Sequence, residues 1–189
     1  GNEIEQDFPQ AESWLEKASD QGNSYAKYSL AKMHLAGLAT QSDEHKAVRL
    51  LRESANDGNG WAQYLLGKFC FRGEHTEKDV AEAERLLSAS ANQNNSQAQY
   101  LLAKLYLCED GIPRDAEKAL HWLWESVKQK NQYAQYQLGK MLLFGKDVDQ
   151  DTENGIVLLT ASANQGNVYA ARLLQSYYSG RLRNPSVSM

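Results

Sequence analysis

The sequence repeats itself every 36 residues, and this period constrains the fold more than any other feature. Five alanines open similar blocks at this spacing, at Ala26, Ala62, Ala98, Ala134 and Ala170. A second motif keeps the same period and begins at Ala11, Ala47, Ala83, Ala119 and Gly155. Sequences with such a period fold as solenoids, in which stacked units build one core, and solenoids usually bind other molecules.

Each repeat is predicted to be a pair of helices. The second motif places apolar or small residues at the spacing of an amphipathic helix, as at Ala47, Leu50, Leu51, Ser54 and Ala55. The first motif predicts a helix with a buried side, as at Ala62, Leu66, Phe69 and Cys70, and small residues that allow a close neighbour at Ala31, Gly67, Ala103 and Gly139.

The joints between helices repeat as well. Glycine precedes a constant asparagine at Gly22, Gly58 and Gly166, which predicts a helix C-cap, and Asn94 and Lys130 stand at the same position in the other two joints. The longer joints contain a glycine and then an acidic N-cap candidate at Asp43, Asp79, Asp115 or Asp151.

These motifs together resemble a known family. An A-x-A-Q-Y-x-L-G helix, a G-x-x-x-D loop and an A-x-x-W-L-x-x-S-A helix, clearest in residues 97–131, resemble the Sel-1-like repeat, a 36-residue relative of the tetratricopeptide repeat. The resemblance covers roughly residues 10–180. It implies an all-α fold, a right-handed α-α superhelix (solenoid) of about ten antiparallel helices.

On this frame we expect a single repeat domain over residues 1–189. Its expected parts are an orphan second helix at about 5–21, repeats at about 24–59, 60–95, 96–131 and 132–167, a capping helix at 168–180 and a tail at 181–189. Because the first helix has no partner and Gly1 is not an initiator methionine, we expect a module taken from a longer protein, or one processed after secretion.

Composition narrows the classes of partner. A net charge of -4 and a pI near 5.6 disfavour nucleic acid, and no stretch approaches the roughly 18 apolar residues of a membrane span. Cys70 and Cys108 occupy different repeat positions, and the resemblance offers no disulfide pair for them, so a reducing, cytoplasmic compartment is expected, with secretion or a periplasmic location left open. A monomer is favoured.

Catalytic and metal motifs are weak. The histidines His34, His45, His75 and His121 stand in four different contexts, so we interpret them as solvated side chains and expect no metal, cofactor or catalytic residue. Ser24 and Lys27 form a weak S-x-x-K match to penicillin-binding enzymes, without the companion S-D-N and K-T-G motifs, and a β-lactam-binding hydrolase is kept as a further alternative.

The resemblance to tetratricopeptide arrays implies that the first helix of each repeat lines a concave groove. Aromatic rings between single positive charges suit a partner protein or an extended peptide, acidic or C-terminal. The predicted groove residues are Tyr28, Lys32, Trp61, Tyr64, Lys68, Phe71, Arg72, Tyr100, Lys104, Tyr133, Tyr136, Lys140, Phe144 and Arg172. The tyrosines have an alternative role in packing between repeats.

Tryptophans outside the groove receive separate predictions. Trp124 replaces polar residues at its repeat position and is expected to be exposed on the opposite face, whereas Trp14 and Trp122 share a predicted core position. These observations predict a non-catalytic scaffold or adaptor. The compact 36-residue unit without disulfides favours a bacterial protein. The alternative is an accessory domain of a larger bacterial enzyme, such as a plasmid mobilisation relaxase.

Overall fold

The computed structural model describes residues 7–108 and 111–181, and within them it contains helices and no strand. The helices are α1 (Phe8–Asp20), α2 (Ser24–Leu35), α3 (Glu44–Asn56), α4 (Gly60–Arg72), α5 (Val80–Asn92), α6 (Ser96–Leu107), α7 (Ala116–Lys128), α8 (Gln132–Phe144), α9 (Thr152–Asn164) and α10 (Val168–Tyr178). The ten helices among the described residues confirm the predicted all-α class.

Two compact units divide the chain, unit 1 over residues 1–98 and unit 2 over residues 99–189. Within unit 1, α1 packs on α2, α2 on α3, α3 on α4 and α4 on α5. Within unit 2, α7 packs on α8, α8 on α9 and α9 on α10. The single-domain boundaries remain a prediction, and the ends expected at residues 5–6 and 182–189 lie outside the described residues.

Side-chain caps fix where the helices begin. The carboxylates of Asp43, Asp79, Asp115 and Asp151 each accept a hydrogen bond from the backbone N–H three residues on, at 2.9–3.0 Å, as predicted. These bonds lower the pKa of Asp43 and Asp115, because they stabilise the charged carboxylate. The constant asparagine caps the other helix of each pair, so every repeat carries two start signals.

The turn before each constant asparagine uses a left-handed residue. Gly22, Gly58 and Gly166 have φ of 83°, 84° and 91°, and Asn94 and Lys130 adopt the same region at 62° and 60°. This confirms that Asn94 and Lys130 substitute for glycine. The position is costly for a side chain, more so for lysine than for asparagine, whose short polar group tolerates it.

Hydrogen bonds join the two helices of a repeat at a constant separation of 30 residues. The buried hydroxyls of Ser54, Ser90 and Ser162 donate to the carbonyls of Ser24, Gly60 and Gln132 at 2.6–2.7 Å. A second set pairs the amide side chains of Gln63 with Gln93, Gln99 with Gln129, and Gln135 with Gln165. In the first repeat the same positions hold an ion pair between Lys27 and Asp57, 2.7 Å apart.

Small residues bring the paired helices close, as predicted. A Cβ added at Gly67 would lie 3.0 Å from Leu87 Cγ, and one at Gly139 would lie 2.9 Å from the carbonyl oxygen of Gly155. The contact is reciprocal, because a Cβ added at Gly155 would lie 2.9 Å from the carbonyl oxygen of Gly139. The α8–α9 crossing therefore brings one backbone against the other.

Candidate partner-binding face

The first helices α2, α4, α6, α8 and α10 position the predicted site residues. Their asparagine caps hold the first turn, since Asn59 Oδ1 accepts from the N–H groups of Trp61 and Ala62 at 3.0 Å. The side chain of Ala62 then faces the core at 0% exposure, while Trp61 is 48% exposed. Because each turn of helix repeats this division, aromatic and cationic side chains remain on the outer side.

The fourteen predicted residues all keep solvent contact. Those that are exposed are Lys32, Trp61, Arg72, Lys104, Tyr133, Lys140 and Arg172, and those that are half-buried are Tyr28, Tyr64, Lys68, Phe71, Tyr100, Tyr136 and Phe144. We call this set, within each unit, the first-helix face. Its role in binding remains a prediction.

In unit 2 the first-helix face is continuous from one helix to the next. The rings of Tyr100 on α6 and Tyr133 on α8 are stacked with centroids 5.8 Å apart. Tyr136 on α8 and Tyr169 on α10 are tilted at 6.2 Å. Tyr136 also packs against the buried cluster around Leu143, so it serves packing as well as surface.

A cavity of about 280 Å³ opens on the same face of unit 2, between the C-terminal ends of α6 and α8. It includes three predicted residues, Lys104, Lys140 and Phe144. Sequence reasoning missed its remaining members, Leu107, Cys108, Arg114, Gln137, Met141, Lys146 and Asp147. The loop members could not be placed from helical periodicity, because the turns after α6 and α8 bring them to the cavity.

In unit 1 the face includes contacts between residues that are close in sequence. The Lys32 ammonium lies 5.5 Å from the centre of the Tyr28 ring, and burial raises the pKa of Tyr28. Arg72 approaches Glu74 at 3.4 Å in an exposed pair, which contributes little because water screens it. Arg72 is thus only loosely held.

The histidine prediction was wrong for His34. Its side chain is 4% exposed, and its Nδ1 accepts a hydrogen bond from the Asp43 N–H at 3.3 Å. It lines a polar cavity of about 660 Å³ in unit 1, where Glu12 accepts two bonds from Thr40. These two bonds lower the pKa of Glu12, since they stabilise its charged form.

The three predictions about tryptophan exposure have different outcomes. Trp124 is 45% exposed, as expected, and Trp122 is half-buried beside His121, but Trp14 is 64% exposed rather than in the core. Its repeat equivalent Leu50 is only 7% exposed, whereas α1 packs mainly on α2 and reaches α3 through the ion pair of Glu16 with Lys46. These contacts leave the predicted core position exposed at Trp14.

Other classes of site leave little trace in the described part of the chain. No group of three or more His, Cys, Asp or Glu side chains there is placed to hold a metal ion. Among the described residues, no helix is both long enough and apolar enough to cross a membrane. Cys70 and Cys108 are both free thiols, and burial raises the pKa of Cys70.

Comparison with known proteins gives a family and a fold. The family described as Sel1 repeat matches residues 1–23, 24–59, 62–95, 96–126 and 132–167. A comparison with curated protein sequences finds no match.

Solved structures cover nearly the whole chain. A protective antigen of uropathogenic Escherichia coli strains, displaying an SLR fold, is 31% identical with a TM-score of 0.85 over 94% of this chain, which spans only 38% of the antigen. A Sel1 repeat protein from Oxalobacter formigenes is 25% identical with a TM-score of 0.88, over 98% of this chain and 76% of its own. An immunity protein from Pseudomonas aeruginosa, 21% identical over 90% of this chain and 62% of its own with a TM-score of 0.58, shares the fold alone.

Proposed function

This chain belongs to the Sel1 repeat family, and from that membership we propose that it is a non-catalytic scaffold that binds a partner protein or peptide on the first-helix face. Proteins with this fold are generally scaffolds for protein–protein interaction. The fold alone does not choose the surface, because one architecture serves many pathways. The choice rests on the side chains that the first helices present.

The observation that carries the proposal is a set of cations on one face that have no carboxylate partner within the described part of the chain. Of the six cations of the first-helix face, Arg72 approaches Glu74 in an exposed pair. No ion pair within the described residues engages the other five, which are Lys32, Lys68, Lys104, Lys140 and Arg172. Their charge is available to a partner, and the neighbouring rings add contact area at low entropy cost.

The β-lactam alternative is disfavoured by the state of Lys27. Its ammonium lies 2.7 Å from Asp57 and 3.7 Å from Glu53. The hydrogen bond to Asp57 is the main cause that raises the pKa of Lys27. A lysine that activates a serine must give up its proton, so this environment opposes catalysis by Ser24. Acylation by a labelled penicillin that disappears in Ser24→Ala would reverse this conclusion.

Partner capture with charge-reversal variants tests the scaffold proposal. The protein is immobilised, and partners from a lysate of its own source are quantified by mass spectrometry. Lys32→Glu with Lys68→Glu alters the face of unit 1, and Lys104→Glu with Lys140→Glu alters that of unit 2. The control, Lys17→Glu with Lys130→Glu, makes the same change in net charge at exposed positions off the face.

The expected result is a partner lost at least tenfold by one face variant and retained by the control. Far-UV circular dichroism of each variant shows whether the helices remain folded. Capture of the same proteins by the wild type and both face variants would refute the first-helix face as the binding surface. The search would then move to the surface around Trp124.

We also propose a cellular compartment, from the state of the two cysteines. Both cysteines are free, and Cys70 is 2% exposed, which agrees with a reducing environment such as the cytoplasm.

A further inference from the structure

The cavity between the ends of α6 and α8, which we call the α6–α8 pocket, combines an apolar floor with a cationic rim. Leu107, Met141 and Phe144 form its floor, and Met141 is only 3% exposed. Pockets for drug-sized ligands measure roughly 300–1,000 Å³. At about 280 Å³, this pocket is the right size for one large residue.

Among the described residues, the rim has an excess of positive charge. Four cations of residues 7–108 and 111–181 line the pocket, Lys104, Arg114, Lys140 and Lys146, together with one carboxylate, Asp147, which pairs with Arg114. The three lysines form no ion pair within residues 7–108 and 111–181. This local excess stands in a chain whose net charge is -4, so average composition does not account for it.

The helix ends do not cancel this charge. The C-terminus of a helix carries roughly half a negative charge on its unpaired carbonyls. In α6 Tyr106 O accepts from the Asp115 N–H at 3.0 Å, and in α8 three of the last four carbonyls are occupied: Met141 O accepts from the Lys146 N–H at 3.0 Å, and Leu142 O from the Asp151 N–H at 2.9 Å. Leu143 O accepts from Gln150 Nε2 at 2.9 Å. An anion at the rim therefore meets lysines rather than bare carbonyl oxygens.

An apolar floor and a cationic rim within one residue's volume restrict the ligand. In an extended peptide, neighbouring side chains point to opposite sides, so an internal acid and the residue beside it cannot both enter one small pocket. The last residue of a chain has a carboxylate and a side chain on the same Cα. Capture of a C-terminal carboxylate is a known mode of peptide recognition.

We propose that the α6–α8 pocket binds the C-terminal residue of the partner, with a bulky apolar side chain on the floor and the free α-carboxylate at Lys104 and Lys140. This assignment rests on the proposed scaffold function and specifies which part of the partner enters unit 2. Cys108 lies at the same pocket, half-buried, and serves as a reporter of its occupancy.

A random peptide library displayed with free C-termini tests the assignment without a known partner. Selection on wild-type protein is expected to enrich leucine, phenylalanine or another bulky apolar residue at the last position. Lys104→Glu with Lys140→Glu is expected to remove that enrichment, whereas Lys17→Glu with Lys130→Glu is expected to keep it. No preference at the last position, or the same preference in the pocket variant, would overturn the proposal.

The enriched peptide, made as the free acid and as the amide, then locates the contact. The acid is expected to bind at least tenfold more tightly, which corresponds to about 1.4 kcal/mol. At saturation it is expected to slow alkylation of Cys108 at least fivefold, with the buried Cys70 as the internal reference. Equal affinity of acid and amide, or an unchanged rate at Cys108, would place the peptide elsewhere and refute the assignment.

The two proposals fail separately. Enrichment at internal positions alone would exclude the C-terminal residue while leaving the first-helix face as a peptide-binding surface. Loss of the captured partner in the unit 1 variant only would likewise support the scaffold function and exclude the α6–α8 pocket as its anchor.

Discussion

Replacing Gly155 by alanine tests the close crossing of α8 and α9. The new Cβ would lie 2.9 Å from Gly139 O, 2.9 Å from Leu143 N and 3.2 Å from Leu143 Cα, all backbone atoms. Such atoms cannot rotate away, so the helices must separate. Overpacking of this kind costs about 1–3 kcal/mol. Alanine in place of a helical glycine returns about 1 kcal/mol.

We therefore expect Gly155→Ala to lower the free energy of unfolding by about 1 kcal/mol, from a clash of about 2 less a gain of about 1. Gly67→Ala is the matched comparison. Its Cβ would meet side-chain atoms instead, Leu87 Cγ at 3.0 Å and Leu86 Cβ at 3.2 Å. Leu87 Cγ can move by rotation about χ1, although Leu86 Cβ moves only with its helix, so the loss there is expected to be smaller.

The double variant Gly139→Ala with Gly155→Ala sharpens the test. The two substitutions clash with the same crossing, so one separation of the helices relieves both, and their costs should not add. We expect the double variant to be more stable than the sum of the single effects predicts, by at least 0.5 kcal/mol. Urea unfolding followed by circular dichroism measures the free energy of unfolding of Gly139→Ala, Gly155→Ala and the double variant. A stabilising Gly155→Ala, or strict additivity, would refute the reasoning.

Three further outcomes follow from the bonds between paired elements. Ser90→Ala, which removes a buried donor to the preceding first helix, should lower the free energy of unfolding by about 1 kcal/mol in urea. Because the pKa of Lys27 is raised in the folded state, its ion pair contributes stability that is complete below the unfolded pKa of 10.5 and is lost as the pH rises through the higher folded pKa. Lys27→Gln with Asp57→Gln should remove this loss of stability at alkaline pH, which is measured by unfolding from pH 9 to 12. Because the pKa of Glu12 is lowered in the folded state, its carboxylate contributes stability that is present above the unfolded pKa of 4.5 and is lost as the pH falls through the folded pKa. Thr40→Val should move the pKa of Glu12, followed by NMR, back towards 4.5. An unchanged pKa would show that the bonds from Thr40 are not the cause.

The sequence was sufficient for the helix pairs because the period states each signal several times. Asp43 and its equivalents cap helices where the pattern placed them, and Lys130 takes a left-handed turn because its register is that of Gly22 and Gly58. His34 was misjudged although the signal existed: its equivalents in the next three repeats, Cys70, Tyr106 and Leu142, are all buried, and only Tyr178 in the last described helix is exposed. Comparison by register would have placed His34 inside.

Other features depend on geometry that no pattern states. Trp14 matches a core position by register, yet it is 64% exposed, and the repeat pattern does not state which side chains surround α1. The α6–α8 pocket needs the turn after α8, where Gly145 and Asp147 have φ of 64° and 65° and Asp147 reaches Arg114 from the preceding joint. Helical periodicity predicts Lys104 and Lys140 on one face but gives no means to place these loop residues beside them.

The constant separation of 30 residues between bonded side chains has a consequence for the folding rate. The serine–carbonyl and glutamine–glutamine bonds described above each close a loop of the same modest length, so these helix pairs need no contact from a distant part of the sequence. Chains dominated by short-range contacts fold quickly, and repeat arrays can nucleate at more than one place. We expect several helix pairs to compete as the nucleus, so that weakening one pair redirects the folding route with little change in the overall rate.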